Sequence, residues 1–458
     1  MACSTHCTIH PARRGSALWK LTWAYALACG SAMAQTQVVK PPVAQYWMDV
    51  ATLSMAGMDD LPDMAGMSGL GGLMGGMSGG RSAGQSSFGL TKGMSPGRWL
   101  DLAVTTRLKP GGTQATQAIP TGLAMGPSLV LLPPPAEPIR RTPRPETDGL
   151  TRDEVPQQPK GRILLYWGCS ETIRPGQPKV LDFAKAGFED YGRFMAGRSD
   201  RELGATAAPG HAVWPNPQHG QRVPKGASLT GPHAISGEGI PESLRFTLGQ
   251  TQDFMPRLDI TSQGGGAAST RLQWTSLPTA KAYFFNAMGG GEDDMVIWSS
   301  SEVPEPGWGL LSYLSPPNVD KWLSEQVLLP NSQTRCAIPA GVFAKVGGGM
   351  VQGIAYGPEL NLVHPPRPTD PQQPWLQEWV ARVRVKSATM LPLEEMATRP
   401  AARRSNPAEP AQSPAGETAV DVSDTPNEPP STESANRNLP SLPNLPGVGN
   451  VLKGLFGR

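Results

Sequence analysis

The sequence predicts a mainly β protein, with one or two β-sandwich-like units and a few short helices, flanked by disordered Gly/Met-rich and Pro/Ala/Ser-rich segments. Short β-branched and aromatic runs recur along the middle of the chain, bounded by Gly and Pro, which is the pattern of strands closed by turns. The flanks are rich in residues that bury little apolar surface and cannot offset the entropy of ordering. With 53 glycines and 49 prolines in 458 residues and only 17% charged residues, order and low complexity are expected to alternate.

Residues 1–34 read as a cleavable secretory signal. Arg13, Arg14 and Lys20 precede an uncharged run from Leu21 to Gly30, and Ala32-Met33-Ala34 follows as a small-residue cleavage site. The run is short against the roughly 20 residues that span a bilayer. The expected location is therefore periplasmic or secreted. The export route stays open, because Arg13-Arg14 fits a twin-arginine signal but arginine pairs are common in such regions. Lipidation at Cys29 stays open too: Ala26-Leu27-Ala28 is a lipoprotein box with its leucine displaced by one position.

Residues 35–98 form a Gly/Met-rich segment, expected to be flexible because glycine disfavours a helix by about 1 kcal/mol each relative to alanine. Residues 99–132 are strand-forming, with Leu100–Thr106 and Ser128–Leu132 each ended by breakers. Residues 133–160 are a Pro-rich linker of extended character. Residues 161–393 are the β-rich folded domain. Its strands are expected at Arg162–Trp167, Ser243–Leu248, Thr270–Trp274, Ala282–Asn286, Met295–Trp298 and Trp379–Val385. In the last of these Val380, Arg382 and Arg384 alternate with Ala381, Val383 and Val385, which predicts a sheet with one wet face. A helix is expected over Val319–Leu328 with Asn318 as its cap, and a second over Lys179–Phe188. Residues 394–458 are a disordered tail with a short apolar C-terminus, where Val451, Leu452, Leu455 and Phe456 share a helical face.

Charge excludes one partner class. Lys and Arg number 40 against 38 Asp and Glu, so nothing points to nucleic acid. Removal of the signal takes Cys3, Cys7 and Cys29 with it and leaves Cys169 and Cys336. These either form one disulfide, sustained by an oxidising compartment, or stay as two buried thiols. Gly-x-Ser-x-Gly occurs around Ser78, Ser82 and Ser95, but none lies between a strand and a helix, and Pro96 has no backbone N–H for an oxyanion hole. His211, His219, His233 and His364 match no helical zinc spacing. Glu292-Asp293-Asp294 reads as a solvated hairpin turn.

Three Met-x-x-Met pairs stand out: Met55 with Met58, Met64 with Met67, and Met74 with Met77. Thioether sulfur is a soft ligand suited to Cu(I), and the series resembles the methionine-rich copper-binding segments of exported copper-handling proteins. The same residues also suit apolar gap filling, and Gly71, Gly75 and Gly79 repeat at the spacing of helix or membrane packing. Trp274, Leu277, Pro278, Ala280 and Tyr283 resemble the B and C strands of fibronectin type III and Ig-like modules, which implies a Trp in a sandwich core and no particular activity. The expected function is that of a non-catalytic envelope or secreted protein binding protein or polysaccharide, with membrane contact through the Gly-rich segment or the C-terminus left open. The alternative is periplasmic Cu(I) binding by the six methionines. Oligomeric state is not legible.

Overall fold

The computed structural model describes residues 37–56, 86–112, 114–135, 161–201, 203–265, 268–291, 293–346 and 349–393. The strands are β1 Val39–Lys40, β2 Ala44–Met55, β3 Gly97–Thr106, β4 Ala115–Ala118, β5 Ser128–Leu131 and β6 Arg162–Trp167. They continue as β7 Lys179–Asp182, β8 His211–Trp214, β9 Gly231–Gly237, β10 Arg245–Leu248, β11 Ile260–Gly264, β12 Thr270–Trp274 and β13 Ala282–Gly290. The last six are β14 Asp294–Ser299, β15 Leu329–Pro330, β16 Arg335–Ile338, β17 Met350–His364, β18 Trp375–Leu376 and β19 Trp379–Pro392. Two α-helices accompany them, α1 Phe188–Met195 and α2 Pro316–Ser324. The protein is mainly β, with several sheets, as the strand pattern predicts.

Two compact units divide the chain. The smaller joins the chain up to Pro41 with Pro366–Leu376, and the larger comprises Pro42–Pro365 with the chain from Gln377. In the smaller unit β1 pairs parallel with β18. The Gln37 side chain donates to the carbonyls of Pro368, Asp370 and Gln373, accepts from Arg367 Nε at 2.6 Å, and Arg367 lies over the Trp375 ring.

The larger unit is built on a ten-stranded mixed sheet in the order β7-β6-β14-β13-β17-β19-β2-β3-β8, with β15 pairing β13 off this path. The β6–β14 and β19–β2 pairs are parallel. One face packs on the four-stranded sheet β10-β9-β4-β5 and the three-stranded sheet β11-β12-β16. Alternate residues of the long strands fill that core: Tyr46, Met48 and Val50 on β2, Tyr283 and Phe285 on β13, Val383 and Val385 on β19. The opposite face is covered too. There α2 packs through Val319 and Trp322 against Phe284, Ile354 and Tyr356, and Leu181 with Ile163, Leu165 and Ile297 packs near α1.

Several expectations are corrected. Residues 35–98 are not one flexible segment, because Ala44–Met55 is a central strand with eight consecutive hydrogen-bonded positions buried or nearly so at its C-terminal end. This stretch contains no glycine, and the composition of the longer window conceals it. Lys179–Asp182 is an edge strand rather than the start of a helix, since it completes its hydrogen bonds on β6. The helix begins only at Phe188, after Gly187, whose N–H donates to Asp190 Oδ2 at 2.9 Å. The second helix starts at Pro316 instead of Val319: two prolines fit the first turn, where no N–H bond is needed, and Ser315 holds the cap position. It stops at Ser324 because Gln326 turns left-handed at φ 56°. The face of β19 expected to be wet is buried at Arg384. Residues 1–34, the linker from 136, the tail from 394 and Cys29 lie outside the described residues.

Cys169, just beyond β6, and Cys336, on β16, are joined by a disulfide with Cα atoms 4.9 Å apart. The bond ties the ten-stranded sheet to the three-stranded one, beside the Ser170 N–H to Ala337 carbonyl bond. Its partners are 167 residues apart, and closing a loop of that length limits the unfolded chain by about 5 kcal/mol in the chain-entropy model. Replacing both cysteines by serine is expected to lower the unfolding free energy by several kcal/mol, up to about 5. Urea denaturation of the double variant against the oxidised wild type measures it, and an unchanged midpoint would refute a stabilising role.

Candidate functional site

On the face of the large sheet away from the two smaller sheets, four charged residues stand in one register row. Glu359 on β17 partners Arg384 on β19, Arg384 partners Asp49 on β2, and Asp49 partners Asp101 on β3. A register shift in β17 between Tyr356 and Glu359 brings Glu359 into this row. Asp49, Asp101 and Arg384 are 0%, 1% and 4% exposed, and Lys386, one step along β19, is 2% exposed. Charges at such depth persist only when paired or hydrogen-bonded.

Arg384 meets Asp49 as a fork. Nε donates to Oδ1 at 2.8 Å and Nη2 to Oδ2 at 2.7 Å, the bidentate geometry that makes guanidinium–carboxylate pairs strong. The Ala205 N–H adds a third donor to Asp49 at 3.1 Å. A cover closes over the pair. The Arg384 guanidinium carbon lies 4.3 Å and the Lys386 ammonium 4.7 Å from the centre of the Tyr313 ring, the separation of a cation–π contact. Gly204 sits directly on the fork, so that a Cβ there would overlap Arg384 Nη2 and Asp49 Oδ2. Arg382, two residues back, faces Glu359 at 3.4 Å and donates to Asn361 at 2.9 Å and to the Leu203 carbonyl at 3.0 Å. Glu359 Oε2 is buried and has no hydrogen-bond partner among the described residues; it lines a small cavity with Tyr313, Tyr356, Arg384 and Lys386.

Asp101 holds the other end of the row. Its carboxyl accepts from the Thr91 hydroxyl, from Gly89 N–H at 3.0 Å and from Thr91 N–H at 3.3 Å, which fixes the short turn Leu90–Lys92 over the sheet. Burial pushes its pKa up to about 6, the Thr91 and Gly89 bonds counteract, and the neighbouring Asp49 charge adds to the rise. The folded chain therefore keeps this proton over a range where the unfolded chain has lost it. Two further carboxylates anchor the cover. Glu305, fully buried, accepts from the Arg198 side chain at 3.1 Å and the Gly307 N–H at 3.0 Å, and Asp200 accepts from Ser315 N–H at 2.6 Å. Within the row Arg384 is paired with Asp49, and Arg382 beside it faces Glu359, so these ion pairs tie β17, β19 and β2 in register.

The residues singled out in the sequence lie elsewhere. Met55 ends β2 and is buried; Met58, Met64, Met67, Met74 and Met77 fall outside the described residues, as do Ser78 and Ser82. Cys169 and Cys336 are bonded to each other. His233 is buried in the other core, where Gln117 Nε2 donates to its Nδ1 at 3.1 Å and its Nε2 faces the Leu229 carbonyl at 2.8 Å. That arrangement makes Nε2 the protonated nitrogen, and burial lowers the pKa, keeping the ring neutral. Gln117 in turn accepts from Tyr46 at 2.7 Å. His211 stacks on Trp47 and His364 on Trp379. Among the described residues no three His, Cys, Asp or Glu side chains converge as metal ligands. Trp274 lies in the core on β12, 5.6 Å edge-on to Tyr283 of the facing sheet. The similarity to fibronectin-type modules stays local, since the large sheet is mixed and ten-stranded. The charged row had a faint signal in the sequence: Asp49 and Asp101 interrupt otherwise apolar strands, as an exposed face also would.

Replacing Arg384 by Met leaves Asp49 buried without its partner and is expected to cost about 3–5 kcal/mol of stability. Removing both charges, as Asp49→Leu with Arg384→Met, is expected to cost less than the two single changes together, which a double-mutant cycle by urea denaturation measures. For Asp101 the raised pKa means that stability falls as pH rises from about 4 to about 6, by about 3 kcal/mol in all. Asp101→Asn removes that loss, so the difference between variant and wild type is expected to move in the variant's favour across pH 4–7. A difference constant with pH would show that Asp101 titrates normally. Comparison of the chain with family models, with curated proteins and with solved structures finds no match.

Proposed function

We propose that the chain is an exported, non-catalytic protein of the cell envelope or the secreted space that acts by binding protein or polysaccharide. The observation that carries this reading is the Cys169–Cys336 disulfide between two sheets, in a chain whose first 34 residues have the order of a secretory signal. A structural disulfide persists where the surroundings are oxidising. The interior adds support, since Asp49 and Arg384 are buried and bonded to each other rather than presented to a substrate. Large exposed apolar side chains supply contact surface: Ile173, Val180 and Trp308 in the larger unit, and Val38, Val39 and Leu376 in the smaller. Tryptophan with an apolar ring and a polar N–H suits both protein interfaces and sugar faces.

Expression of the whole chain with cell fractionation tests the location. Recovery of a protein shortened at Ala34, with Cys169 and Cys336 oxidised, from the periplasm or medium is the expected result, and an uncleaved cytosolic chain would overturn it. The purified protein is further expected to leave a panel of glycan, ester and peptide substrates unchanged. Turnover that a point mutation abolishes would establish an enzyme instead.

A further inference from the structure

Methionine collects at the end of the large sheet where β2 and β19 finish. Met55 closes β2, and its register partner on parallel β19 is Met390. Met390 partners Gln352 on β17, whose amide nitrogen lies 3.9 Å from the sulfur of Met94, a residue just ahead of β3. Strand alternation puts the three strand residues on one face: Met55 is in step with Ala51 and Leu53, Met390 with Ala388, and Gln352 with Ile354 and Tyr356. Side chains paired across neighbouring strands have Cβ atoms about 5 Å apart. The flexible thioether arm lets sulfurs on such positions converge. Met55 and Met390 are 7% and 6% exposed, whereas Met94 is 45% exposed, so the group runs from the interior to the solvent.

We propose that Met55, Met94 and Met390 form a thioether site for one soft monovalent cation, Cu(I). Thioether sulfur is a neutral, polarisable donor that favours Cu(I) over hard cations, which require oxygen ligands. The two cysteines beyond the signal are bonded to each other, so methionine supplies the soft sulfur of the folded chain. Exposed Met94 is the entry ligand, and the Gln352 amide holds its sulfur over the row. The site takes Met55 from the Met-x-x-Met series and adds two methionines distant in sequence. A thioether carries no proton near neutral pH, so binding is independent of pH between 5 and 8, unlike a thiolate or imidazole site.

The test is titration of the protein lacking residues 1–34 with Cu(I) kept reduced by ascorbate, in competition with a chromogenic Cu(I) chelator, and in parallel with redox-inert Ag(I). Met94→Leu and Met390→Leu conserve volume, and Met94 is exposed, so its variant keeps the fold, as thermal unfolding verifies. The expected result is one equivalent bound by the wild type, at least tenfold weaker binding in each variant, and an affinity flat from pH 5 to 8. A third variant with Met58, Met64, Met67, Met74 and Met77 changed to Leu keeps the site. The proposal is overturned by absence of binding, or by binding that Met94→Leu and Met390→Leu leave unchanged, in which case the Gly/Met-rich series is the ligand if the third variant loses it.

Discussion

The fork between Arg384 and Asp49 is the constraint on which the larger unit depends. It joins residues 335 positions apart in the chain, on two parallel strands at the middle of a ten-stranded sheet. A shift of either strand by one residue would turn Asp49 into the apolar core and leave Arg384 without a partner. Because both groups are buried, such a shift costs far more than the loss of an exposed ion pair. Ala205, Gly204 and Tyr313 close on the fork from outside, so the same contact that sets the register also fixes the cover.

The two faces of the sheet hold their layers differently. On the side of the two smaller sheets, apolar alternation does the work, with one neutral chain of polar groups, Tyr46–Gln117–His233, satisfied within it. On the other side, helices and loops supply only part of the cover, and carboxylates hold the rest in place: Asp101 the turn around Thr91, Asp200 the start of α2, Glu305 the segment around Arg198. Burial of these groups contributes geometry more than net stability, since desolvation offsets much of the Coulombic gain.

Much of the β architecture was legible in the sequence. Thr270–Trp274 and Arg162–Trp167 begin and end as strands where their β-branched and aromatic runs do, because turn residues bound them. Ala44–Met55 was hidden by a glycine-rich continuation that dominates any composition window. The charged row was illegible for a different reason: Arg382, Arg384 and Lys386 at alternate positions look the same whether the facing layer is water or a set of loops. For Cys169 and Cys336 the sequence left a disulfide and two separate thiols open, and it is the fold that places their Cα atoms 4.9 Å apart and bonds them. Met55, Met94 and Met390 meet through strand register, which local spacing cannot express.

The parallel pairing of β2 with β19 has a consequence for the order of assembly. Among the described residues the second strand is laid beside the last, so one flank of β2 has no neighbour until β19 exists. At roughly 5–20 residues per second of synthesis, the separation corresponds to on the order of 20–70 s. For that interval the nascent chain carries an unpaired, largely apolar strand edge, the kind that recruits foreign strands. Topology of this sort folds slowly, because the distant ends must meet before their contacts are rewarded. The large sheet therefore closes only after β19 has been made, and a chain of this design benefits from being kept unfolded until that strand arrives.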